Sequence, residues 1–183
     1  MLSIELTRDL KIALSEYAPG SQVVAGGKLW TSRYLKTLPN KDLIRRKYAI
    51  CEHCGHYQSE IAETENELDR CQACGEKIGK MKGTYITPEL GFISDKPEEP
   101  KLSRPEKTYT SRQYFTGEYN QDSELIKEYN FNGIEAQLIS AKRGKLAVIN
   151  HAGFNKFSVC QNCGYTEINT NKSISKHKTH WGQ

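Results

Sequence analysis

The six cysteines of the 183-residue chain fall into three Cys-x2-Cys pairs, Cys51/Cys54, Cys71/Cys74 and Cys160/Cys163, and each pair is followed directly by glycine. Two thiolates at this spacing chelate one ion from a tight turn whose backbone amides point at the sulfurs, and a glycine at the exit supplies the positive φ that the knuckle needs. Cys51-x2-Cys54-x16-Cys71-x2-Cys74 therefore predicts four thiolates closing a tetrahedron around one Zn2+, with no position left for water and hence a structural role. Ion binding of that kind contributes on the order of 10 kcal/mol to local folding. His53 and His56 read as bystanders, because four cysteines already suffice.

Cys160 and Cys163 point to a second ion, since the first is saturated. Its set is completed either by His177 and His180, in the arrangement Cys-x2-Cys-x13-His-x2-His, or by one of these histidines and a cysteine beyond Gln183. A base-reading zinc finger is a poor fit: it wants His-x3–5-His on a helix and apolar residues where this chain has Glu167 and Ser173, and "INTNKS" is turn-like. Iron or a redox dithiol would also use such pairs, but glycine neighbours outside a βαβ context favour zinc.

Two basic clusters are candidates for contact with nucleic acid. They are Arg45, Arg46, Lys47 and Tyr48, just before the first knuckle, and Lys142, Arg143 and Lys145, in an expected hairpin turn. Tyr48, Tyr114, Phe115 and Tyr119 interleave with basic residues, as base-stacking surfaces require; ordinary strand aromatics in a core have the same pattern. Net charge is only +4, but it is segregated. Residues 1–50 carry nine basic and four acidic side chains, residues 51–100 five and eleven, and residues 101–183 twelve and seven, so two basic blocks flank an acidic one.

Signatures of enzymatic chemistry are missing. There is no Gly-x4-Gly-Lys-Ser/Thr phosphate loop, no Gly-x-Ser-x-Gly, no His-Glu-x2-His and no deaminase His-x-Glu, so the chain reads as non-catalytic. No run of 18 or more apolar residues exists, and the N-terminus alternates charge with hydrophobe, unlike a signal peptide. A cytoplasmic location without membrane contact follows as the expectation, and reduced thiols there suit metal rather than disulfides.

The elements that must position these residues read as mostly β, an α+β class in which zinc-ribbon knuckles join an antiparallel β-rich domain with a short N-terminal helix. Residues 4–17 carry apolar side chains near helical spacing with Thr7 as a possible cap, and "APG" ends them. "SQVVAGGKLWTSRYL" predicts a hairpin about Gly26-Gly27. Strands lead into the first knuckle and out of the second, while "QSEIAETENELD" between them reads as a solvated acidic excursion. Residues 97–106, rich in proline and charge, read as a linker or extended crossover. From 107 onward four or more strands are expected, turning at Asn132-Gly133 and Arg143-Gly144. The implied organisation is 1–96 with the four-cysteine ribbon, 97–106 as connector, and 107–183 with the second knuckle, together one compact unit of a larger protein.

"ALSEYAPGSQVV…GKLWTS", "YAICEHCG…CQACG", "YITPELGFISDKP…SRPEKTYTSR" and "FSVCQNCGY…H" occur in this order between Ala13 and His180. Together they resemble the zinc-binding region that follows the motor in MrfA-like superfamily-2 DNA helicases, relatives of which occur in helicase-like proteins of phage defence. The resemblance implies an accessory domain of a helicase or translocase in DNA repair or phage defence, with DNA as partner and a motor domain supplied in cis or in a complex. It also implies a histidine and then a further cysteine after the last knuckle, the latter past Gln183, and so an excised piece of a longer protein. The alternative is an interaction scaffold that docks a helicase core or a defence partner without touching nucleic acid.

Overall fold

Among the described residues the fold is mostly β, with small antiparallel sheets of short strands and one short α-helix. The computed structural model describes residues 4–38, 41–65, 67–107, 111–116, 126–139, 145–169 and 174–179. The helix α1 (Leu10–Glu16) is capped by Asp9, whose side chain accepts from the Lys11 N–H, rather than by Thr7. A carboxylate two residues before that amide satisfies a donor the helix leaves open and suits the positive end of its dipole.

The chain divides into two compact units, and it passes between them at 44/45, 85/86, 112/113 and 147/148. This differs from the consecutive organisation 1–96, 97–106 and 107–183. Each unit is assembled from segments distant in sequence.

The first unit comprises residues 1–44, 86–112 and 148–183. Its three-stranded sheet has the order β1-β2-β6, where β1 is Gln22–Ala25, β2 is Lys28–Leu35 and β6 is Phe92–Ser94. The β1–β2 turn is Gly26-Gly27, both at positive φ (59° and 72°), the backbone of a tight two-residue hairpin. The residues expected as a linker or extended crossover run along this sheet. Leu29 and Glu98 exchange both backbone hydrogen bonds (2.8 and 2.9 Å), and the Gln22 N–H donates to the Glu106 carbonyl at 2.9 Å. Proline removes its own donor but leaves its neighbours' amides and carbonyls able to pair, which is why a proline-rich stretch can still edge a sheet. A further pair, β11 (Lys156–Val159) and β12 (Thr166–Asn169), flanks the third knuckle, so "INTNKS" begins in strand rather than turn. Ala18 and Ala152 form a small core with Phe157 and Ile168 packed against it, and the Asn150 amide donates to the Leu14 carbonyl at 2.7 Å.

The second unit comprises residues 45–85 and 113–147. Its sheet has the order β4-β3-β5, with β3 Arg45–Ile50, β4 Tyr57–Ile61 and β5 Lys82–Ile86. The first part of the expected acidic excursion is thus strand β4, because Tyr57, Ser59 and Ile61 alternate with polar residues and pair with β3 from Ile50↔Tyr57 to Arg46↔Ile61. No helix occurs among the described residues of that excursion. The core is Ala49, Cys51, Leu68, Cys71 and Ile78, with Cys54 and Ala73 against it. Strands β8 (Ile126–Phe131) and β9 (Ile134–Ile139) form a hairpin at Asn132-Gly133, both at positive φ, and the Gly133 N–H donates to Asn130 Oδ1 at 3.1 Å. Strands β7 (Ser111–Phe115) and β10 (Leu146–Asn150), each of which runs across a boundary between the two units, pair with each other. Arg143-Gly144 lies outside the described residues. No helix among the described residues is long and apolar enough to cross a membrane.

Candidate metal centres

All three Cys-x2-Cys-Gly segments fold the same way. The glycine N–H donates to the first cysteine's carbonyl (Gly55 to Cys51, Gly75 to Cys71, Gly164 to Cys160, each 2.9 Å), and the first cysteine's N–H donates to the carbonyl one residue past the glycine (His56, Glu76 and Tyr165, 2.8–2.9 Å). Closing both bonds requires the left-handed region at the glycine, and the three sit at φ 72°, 75° and 73°. The turn thereby aims main-chain amides at sulfur, as with the Ala73 N–H 3.4 Å from Cys71 Sγ.

Two of these turns face each other across the core of the second unit. Cys51 Sγ and Cys74 Sγ are 3.6 Å apart, Cys54 Sγ and Cys71 Sγ are 3.6 Å apart, and all four sulfurs lie within 4.8 Å of one another. A tetrahedron of sulfurs about 2.3 Å from a central ion has edges of about 3.8 Å, so the donor set fits one tetrahedral metal ion. The register of the far turn is held by Gln58, which is only 4% exposed. Its Nε2 donates to the Arg70 carbonyl at 2.8 Å and its Oε1 accepts from the Gln72 N–H at 2.8 Å, bracketing Cys71. The sequence reading missed Gln58; the sole signal was an amide side chain one residue after the buried Tyr57 in an otherwise acidic stretch.

Without an ion the thiols cannot all ionise together. Burial pushes Cys51 up, but the Cys54 and His53 amides and the neighbouring thiols outweigh it and bring its pKa down to about 7. Burial and the neighbouring thiols push Cys54 up to about 12 against the pull of the His56 amide. A divalent cation bound by these four sulfurs would hold the coordinating thiols deprotonated.

The second group is Cys160, Cys163 and His177. Cys163 Sγ lies 3.2 Å from His177 Nε2, and His177 Nδ1–H donates to the Ser175 carbonyl at 2.8 Å. A carbonyl only accepts, so a proton sits on Nδ1, and in the neutral ring the Nε2 lone pair faces the sulfurs, the arrangement a metal-ligating imidazole requires. Two rings support it. Tyr165 stacks on His177 (centroids 4.3 Å, 8°), Tyr34 meets Tyr165 edge-on at 5.5 Å, and the Tyr34 hydroxyl donates to the Lys178 carbonyl at 3.1 Å. The third turn is also pinned to the sheet, because the Leu35 N–H donates to the Gly164 carbonyl at 2.8 Å. Burial pushes the Cys160 thiol up, yet the Cys163 and Asn162 amides, with His177, bring its pKa to about 7. His180 lies outside the described residues. The two tyrosines were not singled out in the sequence.

Both groups are compatible with metal binding. The expected basic cluster at 45–48 is split by the pleat of β3. Arg46 and Tyr48 share one face, while Lys47 takes the other, opposite Glu60, with its Nζ donating to the Thr64 carbonyl at 2.7 Å. Arg45 and Lys145 are exposed, and Lys142 and Arg143 lie outside the described residues. No family model, curated protein or solved structure matches the chain.

Proposed function

We propose that the chain is a non-catalytic, zinc-binding accessory module that helps a DNA helicase or translocase hold DNA, in repair or phage defence. The observation that carries this reading is the closed set of four thiols, Cys51, Cys54, Cys71 and Cys74, whose spacing fits every ligand of one tetrahedral ion. A site with four protein ligands and no open position braces a fold and does not bind substrate. Zinc suits both sets, being tetrahedral and at home with thiolate and imidazole. Cys160, Cys163 and His177 would hold a second ion, with the remaining position left to His180 or to a ligand outside the described residues.

Support for DNA as the partner comes from the basic flanks of the sequence and from the resemblance of its motifs to the zinc-binding region of MrfA-like helicases. The test is a salt titration of DNA binding by the metal-loaded full chain. Phosphate contacts make log K fall linearly with log salt, by about 0.9 per contact on duplex DNA. No measurable binding at low salt would remove this reading.

One observation favours the second reading, a protein-docking scaffold. Tyr129, Phe131 and Ile134 share a face of the β8–β9 hairpin and are 41%, 63% and 70% exposed. A chain that ignores DNA but is captured by a helicase motor through this face would support it.

A further inference from the structure

The sheet β4-β3-β5 has two chemically distinct faces. Directly paired residues point the same way, so the register places Arg46, Tyr48 and Ile50 of β3 with Ile61, Ser59 and Tyr57 of β4 on one face. Lys47, Ala49, Gln58 and Glu60 take the other, and there Ala49 packs into the thiol core. On β5 the same alternation puts Lys82, which ion-pairs with Asp69, on the thiol side and Gly83 and Tyr85 on the opposite side.

That opposite side is a tyrosine surface. Tyr48 stacks with Tyr57 (5.9 Å, 17°), Tyr57 stacks with Tyr114 (6.3 Å, 21°), and Tyr85 meets Tyr48 edge-on at 6.0 Å. Tyr57 is buried and anchors the group, while Tyr48, Tyr85 and Tyr114 are half-buried. The absence of a side chain at Gly83 makes room: a Cβ there would lie 2.7 Å from Tyr48 Cε1 and 2.9 Å from its hydroxyl. Among the strand residues of this face the one full charge is the Arg46 guanidinium. The carboxylate of Glu60 points to the thiol side.

Half-buried tyrosine rings beside a cation, on the face of the sheet away from Glu60, are complementary to unpaired bases on a phosphate backbone. A duplex cannot use them, because its base faces are already stacked. We infer that this face binds single-stranded nucleic acid, with bases stacking on Tyr48, Tyr85 and Tyr114 and Arg46 meeting phosphate. The inference rests on the nucleic-acid reading above and names its strand type and site.

The experiment is fluorescence anisotropy of a labelled oligothymidine, and of a duplex of equal length, with the metal-loaded full chain. The single strand should bind at least about fivefold more tightly than the duplex. Tyr85→Phe and Tyr114→Phe keep the ring and should bind within about twofold of the unmutated chain, while Tyr85→Leu and Tyr114→Leu should each lose at least about fivefold. Arg46→Gln should flatten the single-strand salt dependence by about 0.7 in log–log slope. Unchanged metal content and melting midpoint would report intact folds. Equal binding of single strand and duplex by the unmutated chain overturns the inference without any variant, as do leucine and phenylalanine variants that bind alike; DNA binding through phosphates would still stand. If neither nucleic acid binds at low salt, both readings fall and a protein partner takes their place.

Discussion

Replacing the knuckle glycines by alanine separates two costs that the sequence cannot distinguish. Gly55, Gly75 and Gly164 have nearly the same φ, so each alanine carries the left-handed penalty of roughly 1–2 kcal/mol. Around Gly55 and Gly75 a new Cβ meets nothing within 4 Å, and the cost ends there. At Gly164 it would lie 2.0 Å from the Leu35 carbonyl oxygen and 3.0 Å from its carbon, where ordinary contact begins at 3.4 Å. Both atoms are backbone, so β2 or the knuckle must move. Such a shift costs about 1–3 kcal/mol in a packed site. It also strains the hydrogen bond from the Leu35 N–H to the Gly164 carbonyl, worth about 0.5–1.5 kcal/mol net. Gly164→Ala should therefore exceed Gly55→Ala and Gly75→Ala by about 2–4 kcal/mol. Denaturant unfolding reads the difference, and hydrogen exchange at the Leu35 amide should accelerate by roughly 30-fold or more in Gly164→Ala alone. Equal losses in the three variants would refute the close approach of the third knuckle to β2.

Other expectations follow from the same contacts. Gln58→Leu leaves the Arg70 carbonyl and Gln72 N–H without their partner and should cost about 1–3 kcal/mol, with metal affinity of the four-thiol set down about 10- to 100-fold, readable by competition with a chromophoric chelator. His177→Ala should abolish binding at the second centre and release residues 174–179 from Tyr165, seen as lost exchange protection there, while the four-thiol set keeps its ion. His151 has its pKa lowered by burial, with Arg112 adding to it, so the folded state favours neutral imidazole. The unfolded chain then binds more protons in acid, and stability should fall as pH drops below 6.5 and on through the folded-state value. His151→Gln should flatten that slope in melts compared between pH 7 and 5, and an unchanged slope would rule the residue out as its source.

What was legible in the sequence was local. Cys-x2-Cys-Gly fixes its own turn within six residues, and Gly26-Gly27 and Asn132-Gly133 fix their hairpins through positive φ, so these features needed no tertiary information. Long-range pairing was not legible. Nothing at Glu98 or Glu106 announces a partner near residue 25, so residues 97–106 read as a linker or extended crossover with no sign of which strands they pair. Strand β4 was hidden by its acidic neighbours, because Glu60 carries a charge on the same side of the strand as the buried Gln58 and so breaks the expected apolar alternation. The basic run at 45–48 looked like one patch in one dimension, and the period of the strand divides it between two faces. Gln58 was invisible for a related reason: its role lies in hydrogen bonds across a loop, which no spacing rule encodes.

The proposal that metal ions clamp these knuckles is tested most directly by native mass spectrometry of the full chain purified without chelator. Two ions per chain are expected, one in Cys71→Ser, and loss of the ordered cores around Cys51 and Cys163 when both are stripped. A metal-free chain that keeps its exchange protection at the Cys51, Cys71 and Cys160 amides while every thiol reacts with alkylating reagent would contradict it.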